Sequence, residues 1–457
     1  MVEIKRKPGN TKKWKLTCAL LGIALCVSLS LGGCRVSGKE KESAAEPELF
    51  LVDESVSVPK WTDSYVADEK NQGDLRVIQI SDPHYYSMRL TDECTLYQNV
   101  MAQAAGRDAL HIGEILQAFF EQMQQYEPDV LIVSGDLSMN GEKYSHEDFA
   151  KYLRQFEEEG IEVLVIPGNH DINSTSAWEI RDNAATPADV VTPDEFEEIY
   201  ADFGYKEAIY RDENSLSYVA DIGKNCWVMV LDASIYKDGI RKPGGSLSRA
   251  TRDWIDRILE TAKKQGVRIF STTHQNLLVH NENFISDYTI VDGVSLVEKY
   301  MESGVAINLS GHMHCMNIVD RNKQFYEVAM ESISVWPNLY GQLDLREDGT
   351  ISFSTHATIH DGNSYAYILD STNRTLGRRF STEGLTEEEI AVMQEFIVQM
   401  NIAYFSGKLD SIAGAESDTA YKLWKEKAPG SNAFMLIDSI LNTKRQDHTY
   451  IESFGLE

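Results

Sequence analysis

The sequence predicts an α/β fold, a layered αββα sandwich of two mixed β-sheets flanked by helices, with a C-terminal helical appendage. Three observations carry this. From Leu75 onward, short β-branched runs alternate with segments of helical period. After Gly311 the strand candidates follow one another without long helical segments between them, as in a second, antiparallel set covering the first. From about residue 380 the pattern turns wholly helical.

The N-terminus reads as an address. Basic residues between Lys5 and Lys15 precede the apolar stretch Leu16 to Leu31, and Gly32, Gly33 and Cys34 follow. That is a signal-peptide layout over residues 1–33, too short for a comfortable membrane span. Leu31-Gly32-Gly33-Cys34 also resembles the lipobox of bacterial lipoproteins. The resemblance implies cleavage before Cys34, a diacylglyceryl group on its sulfur, and a protein exported to the extracytoplasmic face of a bacterial cell membrane. Residues 34–73 begin rich in Gly, Lys, Glu, Ser and Ala without a sustained period, the composition of a flexible tether, although Leu49 to Val52 is apolar enough to dock.

The body spans residues 74–370. Strands are expected at Leu75 to Ile80, Val130 to Ser134, Val163 to Ile166, Trp227 to Leu231, Arg268 to Thr272 and Ala306 to Leu309. Between the first two, Ile112, Ile115, Leu116, Phe119, Phe120, Met123 and Tyr126 recur at helical spacing. Tyr144 to Glu158, Arg252 to Lys264 and Val294 to Ser303 are further amphipathic helices. Gln324 to Met330, Gln342 to Leu345 and Thr350 to Ser354 supply the second set of strands, the last two joined by a turn at Glu347-Asp348-Gly349. In the region 380–457, Thr386 and Glu389 form a capping-box signature, Leu385 and Ile390 a hydrophobic staple, and Gly407 a stop. A last helix is expected from Ala433 to Leu441.

The formal charge is −28 over 457 residues, and removing residues 1–33 makes it more negative still. Such a surface repels polyanions, so nucleic acid is not expected as a partner. Beyond Cys34 only Cys94, Cys226 and Cys315 remain, widely spaced, with no zinc-ribbon or disulfide-framework pattern. One disulfide among them stays open.

Chemistry concentrates in five short motifs, each just past a strand end: Asp82-Pro83-His84, Gly135-Asp136, Gly168-Asn169-His170-Asp171, His274, and Gly311-His312-Met313-His314. In α/β sheets the carboxyl ends of the strands open on one crevice, so these side chains can meet. If the backbone is still extended there, residues i and i+2 face one side, which pairs Asp82 with His84 and His312 with His314. Imidazole and carboxylate together suit Mn, Fe, Zn or Co rather than the oxygen-rich surroundings of Mg or Ca. Asp136 has two oxygens and can bridge; Asn169 offers a neutral carbonyl oxygen.

These motifs, in this order over roughly residues 75 to 320, resemble those of the calcineurin-like metallophosphoesterase family. The resemblance implies two divalent or trivalent transition-metal ions, one held by Asp82, His84, Asp136 and His314, the other by Asp136, Asn169, His274 and His312. It implies hydrolysis of a phosphomonoester or phosphodiester by attack of a metal-bound hydroxide. His170 matches the family's non-ligand histidine, a general acid for the leaving group, and Asp171 stands beside it in the catalytic set. The substrate would be a small molecule, or a lipid or polymer phosphoester met at the membrane.

Two departures bear on substrate. Protein phosphatases of the wider family carry Asp-Arg three and four residues after the second-motif Asp; here Met139 and Asn140 stand there, so the phosphate-clamping Arg is missing and that branch is disfavoured. Many relatives have a second histidine after the fourth-motif one, where this chain has Gln275. Tyr85, Tyr86, Asn140, Asn276 and Trp336 are candidates to line the cleft. Histidines 111, 146, 280, 356, 360 and 448 read as structural or exposed. The competing reading is a catalytically silent surface-binding lipoprotein that keeps the fold.

Overall fold

The computed structural model describes residues 49–63, 70–126, 128–237, 240–379 and 384–455. The signal-peptide and Cys34 readings lie outside the described residues. Among those described, no helix is long and apolar enough to cross a membrane.

Two sheets form the centre. The first runs in the order Tyr450–Gly455, Thr350–Ala357, Leu339–Leu345, Leu75–Ile80, Val130–Val133 and Glu162–Val165. Its last three strands are parallel and the rest antiparallel. The second runs Asn317–Arg321, Phe325–Ala329, Ile307–Ser310, Arg268–Thr273, Cys226–Leu231, Tyr218–Asp221 and Tyr210–Arg211, parallel through its middle four strands and antiparallel at both edges. The parallel strands read as unbroken apolar runs, Val-Leu-Ile-Val at 130–133 for example, because both faces are covered.

The sheets share one core in which Val77, Ile132 and Leu164 meet Val228, Phe270 and Leu309, and Phe119 and Phe156 seal it from the helices Ile112–Tyr126 and Lys143–Glu158. Gln79 crosses between the sheets, its Nε2 donating to Ser134 Oγ and to Ser310 O at 2.9 Å each. On the far side of the second sheet, Trp254, Ile258, Val297 and Tyr300 pack the helices Arg249–Gln265 and Gly293–Ser303. The layers are thus those predicted.

The C-terminal helices build a core of their own around Ile397, Trp424 and Ile437, and this core takes in Met313 and Cys315. Those two residues flank His314, so the helices buttress the loop that carries it. The helix Glu387–Phe405 begins with the expected capping box, Thr386 and Glu389 satisfying each other's backbone N–H groups. The region is not wholly helical, however: Tyr450–Gly455 returns as an edge strand on Thr350–Ala357. The helix Ser364–Arg379 also runs straight through the expected boundary at residue 370.

Part of the supposed tether is docked. Asn363 Nδ2 donates to Glu54 O at 2.8 Å and Val56 O at 2.6 Å, and Trp61 stands edge-on to Trp336. These contacts satisfy backbone carbonyls and half-bury an indole, so docking reaches beyond Leu49 to Val52, the segment for which the sequence allows it. Two hairpins, Trp178–Arg181 with Ala184–Pro187 and Ser234–Lys237 with Ile240–Gly245, were also not anticipated. Cys94, Cys226 and Cys315 are all free thiols.

Candidate metal centre

All five motifs lie where strands of the two sheets end. Asp82 and His84 follow Leu75–Ile80, Asp136 follows Val130–Val133, and Asn169 and His170 follow Glu162–Val165, all from the first sheet. His274 follows Arg268–Thr273, and His312 and His314 follow Ile307–Ser310, from the second. The site therefore spans the seam between the sheets.

The backbone that delivers them is not extended. Asp82, His84, Asp136, His312 and His314 have φ of 50°, 46°, 51°, 68° and 54°. Left-handed backbone is uncommon outside glycine and costs on the order of 1 kcal/mol or more per residue, so five in one place mark a site held against local preference. The i, i+2 alternation of a strand is thus not what aims these pairs; successive left-handed kinks do. Glycines make room around them. A Cβ on Gly168 would lie 2.2 Å from Asp136 N, and one on Gly311 would lie 1.9 Å from Ser81 Oγ and 2.7 Å from Asp82 Oδ2.

The side chains converge in two groups. Ligand atoms of Asp82, His84, Asp136 and His314 lie within 4.8 Å of one another, as do those of Asp136, His274 and His312. Asp136 belongs to both. Its Oδ2 is 3.7 Å from His84 Nε2 and 3.4 Å from His274 Nε2, while its Oδ1 accepts His170 N–H at 2.7 Å. One oxygen, rather than one on each side, therefore faces both groups. Asn169 Oδ1 joins the second, 3.0 Å from His274 Nε2.

Hydrogen bonds behind the rings set their direction. His274 Nδ1 is 2.8 Å from Ser134 O, and His312 Nε2 is 2.7 Å from Asp287 O. A carbonyl can only accept, so each of those nitrogens carries the proton, and the other nitrogen presents a lone pair to the centre. Asp82 Oδ2 accepts from Ser81 Oγ and His312 N, while its Oδ1 is buried without a hydrogen-bond donor.

This set fits a pair of transition-metal ions. Neighbouring ligands at about 2.1 Å from one ion stand roughly 3.0 to 3.4 Å apart. His84 Nε2 to His314 Nε2 is 3.0 Å, and His314 Nε2 to Asp82 Oδ1 is 3.2 Å. Burial pushes Asp136 up, but the charges of His274 and His170 outweigh it and hold the carboxyl well below its usual range. Burial likewise lowers His274, and Asp136 overrides it, raising the imidazole to about 9. Without metal, a proton on His274 answers the carboxylates' demand for positive charge.

His170 stands outside both groups, its ring 4.9 Å from that of His84. Its Nδ1 lies 3.1 Å from Met139 O and 2.9 Å from Asn140 Oδ1. The two residues that replace the phosphatases' Asp-Arg thus hold this histidine, a role that spacing alone did not show. Asp171 is occupied elsewhere: its carboxylate accepts Leu137 N, Gly168 N, Ser138 N and Ser138 Oγ, tying the second and third motif loops together behind the site. His146 braces the same clamp from Asp171 O. Asn276 ties Ser310 Oγ to Gly311 O, and Tyr86 is core, its hydroxyl donating to Trp178 O.

The fold and the site together are those of a phosphoesterase family. Residues 75–316 match the calcineurin-like phosphoesterase family, to which this chain belongs; such enzymes use two metal ions. Residues 363–447 match the C-terminal domain of cyclic nucleotide phosphodiesterase. The 3',5'-cyclic adenosine monophosphate phosphodiesterase CpdA of Escherichia coli K12 is 22% identical over 224 residues, 49% of this chain and 60% of that protein, so the chain spans less than two thirds of that relative. Among solved structures, a dimetal phosphatase from Danio rerio aligns over 63% of this chain and 97% of its own at TM-score 0.46 and 11% identity. Purple acid phosphatase from yellow lupin aligns over 62% and 52% at TM-score 0.38 and 11% identity.

Proposed function

We propose that this chain hydrolyses the phosphodiester of a cyclic nucleotide at a two-metal centre formed by Asp82, His84, Asp136, Asn169, His274, His312 and His314. One juxtaposition carries the reading: two ligand groups sharing Asp136 lie beside a loop buttressed by C-terminal helices whose sequence matches that of cyclic nucleotide phosphodiesterases. The kinship to an enzyme of 3',5'-cyclic adenosine monophosphate makes that nucleotide the first to test.

Bound metal ions would lower the pKa of water and offset phosphoryl charge. The chain's own residues do the rest. Asp136 Oδ2 and the paired imidazoles fix where the phosphoryl group sits. Opening a cyclic diester expels a ribose oxygen that needs a proton, and His170, with Nδ1 committed to Met139 O and Asn140 Oδ1, has Nε2 free to deliver it. The acidic surface disfavours nucleic acid and leaves a small anion, drawn in by the local charge of the metals, as the fitting substrate.

The test is turnover of 3',5'-cyclic nucleotides and bis-nitrophenyl phosphate by purified, metal-loaded protein. Nucleoside monophosphate should form, stop with a chelator and resume with Mn or Zn. Protein that holds two ions per chain yet cleaves no phosphoester would overturn the reading in favour of a silent binding lipoprotein.

We infer further that the enzyme is tethered outside the cytoplasm through lipid on Cys34, on the strength of the basic, apolar and Leu-Gly-Gly-Cys succession. Cys34→Ser should move the protein from the membrane to the soluble fraction; unchanged membrane association refutes the tether.

A further inference from the structure

A cavity of about 280 Å³ lies on the seam between the phosphoesterase body and the C-terminal region, and none of the seven metal-centre residues lines it. Its walls come from the loop 279–283, the strand Asn317–Arg321 and the chain at 439–448. We propose that it binds a neutral nitrogen heterocycle, a nucleobase or its nucleoside, through the side-chain amide of Asn317. The proposal stands apart from the reaction above and needs no metal.

Contacts that cross the seam hold the walls. Asn281 Nδ2 donates to Tyr404 Oη at 3.2 Å, and Asn281 Oδ1 accepts from Ser439 Oγ at 2.8 Å. His448 Nδ1 accepts Ile318 N–H at 2.9 Å, and its Nε2 donates to Lys444 O at 2.8 Å. Both sides are thus set before a ligand arrives, which lowers the cost of ordering on binding.

The inner end is unfinished. Asn317 is 1% exposed, and its Oδ1 accepts from His280 Nδ1 at 2.9 Å, but its Nδ2 has no acceptor. His280 turns its other nitrogen away to Glu327, 3.4 Å from Oε2, so it supplies none. A buried amide donor left unpaired is costly, and a ligand that brings a carbonyl oxygen or a ring nitrogen recovers that cost.

Charge and size narrow the class. Lys444, the one lysine of the lining, is already paired with Asp320 at 3.1 Å, and exposed Glu282 adds a negative charge at the mouth. A phosphate or carboxylate is therefore repelled, while a cation would meet the N–H groups of Asn317. A neutral molecule is left. The volume stands at the small end of ligand pockets, room for one heterocycle with or without a ribose. Val279 and Ile318 offer apolar sides to a flat ring, and the amides of Asn283 and Asn442 lie in the same lining. An amide carries a donor beside an acceptor, the pattern that matches a purine edge. A monosaccharide brings oxygens but less flat apolar surface.

The experiment titrates adenine, adenosine, adenosine monophosphate and glucose into the purified full chain by calorimetry, with chelator present so that the metal centre is out of play. Adenine or adenosine should bind once per chain, and the monophosphate about tenfold more weakly or worse. Asn317→Leu removes the donor at similar volume and should weaken binding by about tenfold or more. Val279→Trp, at a position 41% exposed, should fill the mouth and block binding while the fold is kept. Metal content of the reloaded variants should equal that of wild type, which separates loss of the cavity from damage to the protein. No binding of adenine or adenosine makes the cavity a hydrated notch and overturns the proposal. Binding that is unchanged in both variants does the same; should Asn317→Leu not fold, Val279→Trp decides. Glucose binding that depends on Asn317, with no heterocycle bound, overturns the ligand class. Heterocycle binding by protein that cleaves no phosphoester leaves the site standing while the catalytic reading fails.

Discussion

His84 Nε2 stands 3.0 Å from His314 Nε2, although the two rings hang from loops of different sheets. Asp82 Oδ1, buried and without a donor, lies 3.2 Å from the same His314 nitrogen. Three lone pairs this close repel one another unless a cation or a proton sits among them. Metal binding should therefore hold the two sheets together at this seam. At a thousandfold excess over the dissociation constant, each ion adds about 4 kcal/mol to folding stability. A chelator should lower the unfolding temperature by several degrees, and His314→Ala should cut the bound ions from two to one. Superimposable melting curves with and without chelator would contradict this.

The grip of Met139 O and Asn140 Oδ1 on His170 Nδ1 makes a second prediction. Replacing His170 with Ala removes the proton donor, so kcat on a cyclic nucleotide should fall by about a hundredfold or more. A nitrophenyl diester, whose leaving group needs no proton, should lose far less. Asn140→Leu keeps the ring but drops one of its two anchors and should cost an intermediate factor. Equal losses on both substrates in His170→Ala would rule out proton delivery by this ring.

Much of this site was legible beforehand because the residues that carry it are chemically scarce and fall at strand ends, where the topology of an α/β sheet forces convergence. Asp136 is expected to be shared because a carboxylate has two oxygens and because the family resemblance implies it, yet a single oxygen, Oδ2, faces both groups. What spacing did not reveal was the backbone: Asp82 and His84 meet through left-handed kinks, a choice paid for by tertiary contacts such as Ser332 Oγ on Asp82 O. The strand Tyr450–Gly455 was missed because an edge strand half exposed to solvent lacks the apolar run that marked Val130–Val133.

Gly311 gives a prediction about fit rather than chemistry. An added methyl group would sit 1.9 Å from Ser81 Oγ and 2.7 Å from Asp82 Oδ2, against buried atoms that are themselves hydrogen-bonded. The loop to His312 and His314 must then shift outward. Gly311→Ala should lower stability by about 1 to 3 kcal/mol and lose metal from both groups, because His312 and His314 belong to different ones. Full metal content with wild-type stability would show that the close approach is not required.

Glu142 ties stability to pH away from the metals. It is buried, and burial raises its carboxyl to about 7 even though Asn140 N donates to it at 2.9 Å. Between its ordinary value of 4.5 and about 7, the folded chain holds a proton that the unfolded chain has released. The unfolded state then binds fewer protons, so stability falls as pH rises through this window, and the loss is complete above it. The size is on the order of 3 kcal/mol. Glu142→Gln keeps an acceptor for Asn140 N and cannot ionise, so it should be more stable than wild type at pH 8 and nearly equal at pH 5. Urea unfolding of both proteins at the two pH values, with chelator present to keep metal linkage out of the comparison, measures the difference. A gap of the same size at pH 5 and pH 8 would mean that Glu142 does not titrate in this window.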